Sequence, residues 1–145
     1  LKTLFLLLIS ATFLPEAHAE GLSDILRVKA GTSRCVQCDL RGLVYFQCKL
    51  EHINFYRSDF YRANLQECSL KHSNLYGAQF RYANLIAVDF QDAIMIRINL
   101  DHANLSLANL KGANLEDASM KHTTLNGATW IDGRICKEGS IGVCK

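Results

Sequence analysis

Every fifth residue from Leu40 onward is large and apolar: Leu40, Tyr45, Leu50, Phe55, Phe60, Leu65, Leu70, Leu75, Phe80 and Leu85. The series runs on through Phe90, Met95, Leu100, Leu105, Leu110, Leu115, Met120, Leu125 and Trp130. Two positions before each stands a smaller residue, from Cys38, Leu43, Cys48 and Ile53 to Ala113, Ala118, Thr123 and Ala128, with alanine increasingly dominant toward the C-terminal end. Asn or Asp lies between the two in most units, as in Ala63-Asn64-Leu65, Ala83-Asn84-Leu85 and Ala113-Asn114-Leu115. A period of five fits neither an α-helix at 3.6 residues nor a strand at 2. It fits a chain that turns a corner once per unit, with one large and one small residue pointing inward and three left for the turn and the solvent.

Four such units close a square, and the next four stack on it at the strand spacing of about 4.8 Å. Stacking at twenty residues predicts inward columns such as Leu40, Phe60, Phe80, Leu100 and Met120, or Leu50, Leu70, Phe90, Leu110 and Trp130. Phe60 and Phe80 fall in adjacent coils, where their rings can stack. A coil has no complete core alone, so the stack needs caps at its ends.

These units resemble the pentapeptide-repeat family, whose motif is Ala-Asp/Asn-Leu-X-X, over residues 38 to 132. The resemblance implies an all-β chain, a right-handed quadrilateral β-helix of about five coils with a short N-terminal cap. The expected organisation is a signal peptide at 1–19, a cap segment at 20–37, the β-helix at 38–132 and a tail at 133–145.

The first twenty residues differ in kind from the repeat. Lys2 supplies a positive start, Leu4 to Leu14 is mostly apolar, and Ala17 and Ala19 are the small residues a signal peptidase accepts before Glu20. The apolar run is too short to span a bilayer comfortably, so no membrane span is expected after signal removal. Six cysteines suit an oxidising compartment, which points to a periplasmic or secreted protein. In the cap segment, Ser23 to Ala30 reads as a short helix with Ser23 as N-cap and Gly31 as its stop.

With 145 residues the chain is one domain, and a net charge of +2 gives no reason to expect nucleic-acid binding through bulk electrostatics. Trp130-Ile131-Asp132-Gly133 followed by Cys136 and Cys144 resembles the tail of exported members of the family, and that resemblance implies a Cys136–Cys144 disulfide closing the tail. Cys35-Val36-Gln37-Cys38 is a lone C-X-X-C, read as a structural disulfide or cap in preference to a redox pair or half a zinc site. Cys48 and Cys68, twenty residues apart, stack in neighbouring coils as buried thiols or as a bridge, and thiols are the favoured expectation.

Function, if legible, lies on the outward positions. Arg41, Tyr61, Arg62, Arg81, Tyr82, His102, Lys121 and His122 form a basic and aromatic candidate face for an acidic partner or a glycan, interrupted by Asp101. Phe46, Ile86 and Leu107 mark a second, apolar candidate face suited to a partner or a homodimer. His52, His72 and Asp92 recur at twenty-residue spacing and offer donors for a metal ion, although repeats also produce accidental columns. No nucleophile constellation, phosphate loop or paired carboxylate stands out, so neither an enzyme nor a cofactor is expected. The leading expectation is a non-catalytic exported scaffold for a protein or surface partner. Two alternatives stand beside it: a metal-binding protein using the histidine column, and the gyrase-binding DNA mimicry that the family resemblance implies.

Overall fold

The computed structural model describes residues 16–145, with side chains from Ser23 onward. Most of the expected export signal therefore lies outside the described residues. Parallel bridges join each repeat unit to the unit twenty residues on, from Arg34↔Asn54 to Asn109↔Thr129. Four units thus complete one coil, and the stack has four sides. We number them by their central residues: side 1 carries Arg34, Asn54, Asn74, Ile94 and Asn114, and side 2 carries Asp39, Asp59, Gln79, Asn99 and Ser119. Side 3 carries Val44, Asn64, Asn84, Asn104 and Thr124, and side 4 carries Lys49, Ser69, Asp89, Asn109 and Thr129.

The sides satisfy their backbone between coils. Asn64 donates its N–H to the Leu43 carbonyl on one side, and Leu65 donates to the Asn84 carbonyl on the other. This leaves few backbone groups orphaned within the stack. Each corner spends two residues. At the corner 40–43 the Leu43 N–H donates to the Leu40 carbonyl at 3.1 Å, and Gly42 has φ +66°. A positive φ at the second corner residue alone is the sign pattern of a type II turn. Among the described residues fifteen that are not glycine adopt it, with φ between 48° and 61°, at a local cost on the order of 1 kcal/mol each.

The Asn or Asp of each motif helps to hold that corner. Its side-chain oxygen accepts the N–H two residues on: Asn54 accepts from Tyr56, Asp59 from Tyr61 and Asn99 from Asp101. This is the local bond that makes these residues turn formers. Asn64 is an exception, its Oδ1 buried without a partner.

Inward positions make the core. Leu65, Phe80, Leu85, Phe90 and Leu100 are wholly buried, and the Phe60 and Phe80 rings stack at 4.3 Å. Buried serines are satisfied by opening a turn in the adjoining coil: Ser58 accepts from the Cys38 N–H and donates to the Cys35 carbonyl. Ser73 does the same between Ile53 and Leu50.

The structure corrects three expectations. Helix α1 (Glu16–Lys29) begins well before Ser23, which lies inside it and is no N-cap; the expected stop at Gly31 is present. Gly31 (φ +85°) donates to the Val28 carbonyl and Thr32 to that of Arg27, a Schellman ending. Cys48 and Cys68 are joined as a disulfide, not kept as thiols; stacking brings their Cα atoms to 4.4 Å, a separation that permits the bridge. The coil also begins one unit early, with Cys35 in the large inward position and Arg34 already bridged to Asn54. Disulfides Cys35–Cys38 and Cys136–Cys144 staple the first corner and the tail.

Candidate functional site

The outward candidates lie along the corners of the square, not across its flat sides, because the two turn residues of each unit project there. Between sides 2 and 3 the corner column runs through residues 41–42, 61–62, 81–82, 101–102 and 121–122. Six of the eight basic and aromatic candidates join one ladder on it. Arg62 sits over the Tyr61 ring at 5.1 Å, Tyr61 meets Tyr82 edge-on at 5.8 Å, and Arg81 lies over Tyr82 at 5.7 Å. Tyr82 stacks on His102 at 4.8 Å, and His102 on His122 at 4.8 Å. Arg41 is held apart by ion pairs with Asp39 and Asp59, and the first of these raises its pKa further. Lys121 is exposed, its N–H donated to Asp101.

A second ladder was not anticipated from the sequence. On the corner between sides 1 and 2, Tyr56 and Tyr76 stack at 5.3 Å, Arg57 lies over Tyr56 at 5.2 Å, and Arg97 donates to the Tyr76 hydroxyl at 3.1 Å. Arg97 also pairs with Asp117 at 3.4 Å. The signal was present in the twenty-residue spacing of Tyr56 and Tyr76 and the forty-residue spacing of Arg57 and Arg97. Only the order of the sides shows that the two ladders flank the same polar strip of Asp59, Gln79 and Asn99. Contacts between guanidinium and ring are worth about 0.5–1 kcal/mol when exposed. Their larger consequence is to hold long side chains in place before any partner arrives.

The other candidates do not gather. Phe46 and Leu107 are exposed and Ile86 half-buried on the corner between sides 3 and 4, but Gln47 and Glu67 intervene and bond each other at 2.8 Å. His52 and His72 stack face to face at 4.9 Å, with His72 Nδ1 at 4.0 Å from Asp92. Parallel rings do not aim their nitrogens at a common point, so this column makes no coordination shell as it stands. Among the described residues, the three ligand atoms that do converge are those of Asp24, Cys35 and Cys38. There both sulfurs are committed to a disulfide and provide no thiolate.

The pattern of the family described as "Pentapeptide repeat region" matches residues 44–120, just over half of the chain. The chain belongs to the pentapeptide-repeat family. Among solved pentapeptide-repeat structures, one from the thylakoid lumen of Arabidopsis thaliana is 21% identical, with 72% of this chain and 73% of that one aligned and a TM-score of 0.52. HetL of the cyanobacterium Nostoc, involved in regulating heterocyst differentiation, is 30% identical over 70% of this chain and 51% of its own, with a TM-score of 0.39. Rfr23 of the cyanobacterium Cyanothece is 23% identical over 75% of this chain and 98% of its own, with a TM-score of 0.40. No curated protein matches this pentapeptide-repeat chain.

Proposed function

We propose that this pentapeptide-repeat protein is a non-catalytic exported scaffold that engages an acidic protein or surface partner through side 2 and its two flanking corners. The observation that carries the reading is the pair of ladders. Guanidinium groups of Arg57, Arg62 and Arg81 lie over aromatic rings, and that of Arg97 donates to the Tyr76 hydroxyl, so both borders of one polar strip carry them. Such an array offers charge-assisted hydrogen bonds to carboxylates or sulfates, with rings for apolar or sugar faces. The DNA-mimic alternative needs rows of carboxylates standing in for phosphates, whereas here guanidiniums line both borders.

Export is supported by the N-terminal pattern and by three disulfides, which suit an oxidising compartment. The Arabidopsis protein with the same fold resides in a lumen. Among the described residues no helix is long and apolar enough to cross a membrane.

Two measurements test the reading. The intact mass from the native host should begin at Glu20, with cysteines protected from alkylation before reduction; a full-length chain with six free thiols would overturn export. On an immobilised polyglutamate or sulfated-glycan column, the wild type should be retained in a salt-dependent manner. The variant Arg57→Ala/Arg62→Ala/Arg81→Ala should pass through, and equal retention of both would reject side 2 as the contact surface.

A further inference from the structure

The C-terminal end of the stack is closed on two sides only. Over sides 3 and 4 the tail runs back in antiparallel sense, with Ile141 opposite Thr124 and Ile135 opposite Thr129. Over sides 1 and 2, nothing among the described residues pairs above Asn114 and Ser119. One coil earlier the equivalent groups are all used: Asn114 donates to Ala93 and accepts from Met95, and Ser119 donates to Ile98 and accepts from Leu100. In the last coil the carbonyls of Ala113 and Ala118 and the N–H groups of Leu115 and Met120 have no backbone partner among the described residues. Beneath this edge lies an open hollow of about 840 Å³ lined by Leu115, Ala118, Met120, Trp130, Ile131 and Val143.

The tail carries the matching half. Its backbone bonds to the last coil run through the Cys136 and Gly142 N–H groups and the Arg134, Cys136 and Ser140 carbonyls. The N–H and carbonyl of Ile135 and of Ile141 therefore point the other way, and their side chains are 61% and 55% exposed. Each isoleucine offers one donor and one acceptor; each open side asks for one acceptor and one donor. This is the arrangement within the stack, where Asn84 donates to Ala63 and accepts from Leu65.

We propose that this end is an interface between two copies of the chain, in which the two tails together complete one shared coil. Ile135 of one copy bridges to Asn114 of the second copy, and Ile141 to Ser119 of the second copy. A two-fold axis perpendicular to the stack reverses the sense in which the second coil circulates. The tail, antiparallel to its own coil, then runs parallel to the open edge of the second copy, as a parallel bridge requires. Chain order agrees: the tail passes from side 4 to side 3 as the facing edge passes from side 1 to side 2. Lys137, two residues past Ile135, falls beside Glu116 of the second copy, two residues past Asn114, and both are exposed. A foreign strand laid on sides 1 and 2 would leave Ile135 and Ile141 in water. A second copy covers both at once, in the self-complementary manner of a two-fold interface. The long sides stay free, so the partner surface proposed above is not consumed.

Sedimentation of the full oxidised chain tests this. The wild type should pass from monomer to dimer with concentration, and Ile135→Asp/Ile141→Asp should weaken dimerisation by ~100-fold or more with an unchanged melting temperature when monomeric. Glu116→Lys should weaken it, and adding Lys137→Glu in the same chain should restore it, a readout that does not depend on how the isoleucine variant folds. A wild type that stays monomeric at about 100 µM, or a dimer indifferent to both sets of substitutions, would overturn the proposal.

Discussion

Leu85 and Leu115 end the same three-residue motif, Ala-Asn-Leu, yet their surroundings differ. Leu85 has no exposed surface, whereas Leu115 is only partly buried, as are Ala118, Met120 and Trp130 around it. The Leu85 N–H donates to Asn104, while that of Leu115 has no partner among the described residues. The motif therefore fixes backbone conformation and the inward direction of the side chain. Burial is supplied by the next coil, and the motif cannot provide it. The N-terminal end makes the same point from the opposite direction. There α1 lays Val28 into the core, and Asp24 accepts the Asp39 N–H, so an element outside the repeat completes the first coil.

The largest effect should come from breaking the enclosed member of the pair. Leu85→Asp buries a carboxylate with no partner, and we expect a loss above about 4 kcal/mol, enough to unfold the stack. Circular dichroism and chemical denaturation would record it, and a folded Leu85→Asp protein would refute the inward placement. Truncation sharpens the contrast. Leu85→Ala should cost about 2–5 kcal/mol because it leaves a cavity in a closed core. Leu115→Ala should cost about 1 kcal/mol in the monomer, where much of the side chain already faces the hollow. Equal costs in urea denaturation would mean that the last coil is closed in solution.

A smaller effect belongs to the contact that braces the open coil. Asp101 accepts from the Ser119 hydroxyl at 2.6 Å and from the Lys121 N–H at 2.9 Å. The Ser119 bond above all, joined by the Lys121 backbone N–H and the charges of Lys121 and Arg81, holds its carboxyl below the usual carboxylate range, although burial opposes it more than any one of those lesser contributions helps. Since the folded value is depressed, the stabilisation is fully present above the unfolded value of about 3.9 and is lost as pH falls through the folded value. Solvent screening keeps it under about 1 kcal/mol. Melting curves for wild type and Asp101→Asn should therefore keep a constant gap down to about pH 4 and draw together as pH falls below it, and a gap that widens on acidification would contradict this sign.

The sequence was most informative where the period repeats. Inward columns, the Phe60–Phe80 stack and the register of Cys48 over Cys68 all follow from counting by twenty, because stacking turns sequence distance into contact. Oxidation state does not follow from register, so whether Cys48 and Cys68 bridge was open. The corner ladders were half legible: Tyr61, Arg62, Arg81 and Tyr82 stood out as a cluster, but Tyr56, Arg57, Tyr76 and Arg97 did not. Pairing the two ladders required knowing that one side separates their corners. Least legible were the segments outside the period. The upstream start of α1 and the antiparallel return of the tail lie outside the five-residue period, and no repeat unit encodes them.

The smallest expected effect completes the comparison, because it separates what the repeat needs from what it displays. Arg81 occupies a corner, exposed, over the Tyr82 ring at 5.7 Å, while Leu85, four residues on, is enclosed. An exposed cation–ring contact contributes about 0.5 kcal/mol, and a surface residue away from caps and cavities is worth no more. Arg81→Ala should therefore leave the denaturation midpoint almost unchanged, while contributing to the loss of retention on the acidic column. If it destabilised the fold as severely as Leu85→Asp, the corner would be structural, and the ladder would serve the stack and not a partner. If it changed neither stability nor retention, the corner between sides 2 and 3 would be plain solvent-facing surface, and the contact would rest on Tyr56, Arg57, Tyr76 and Arg97 alone.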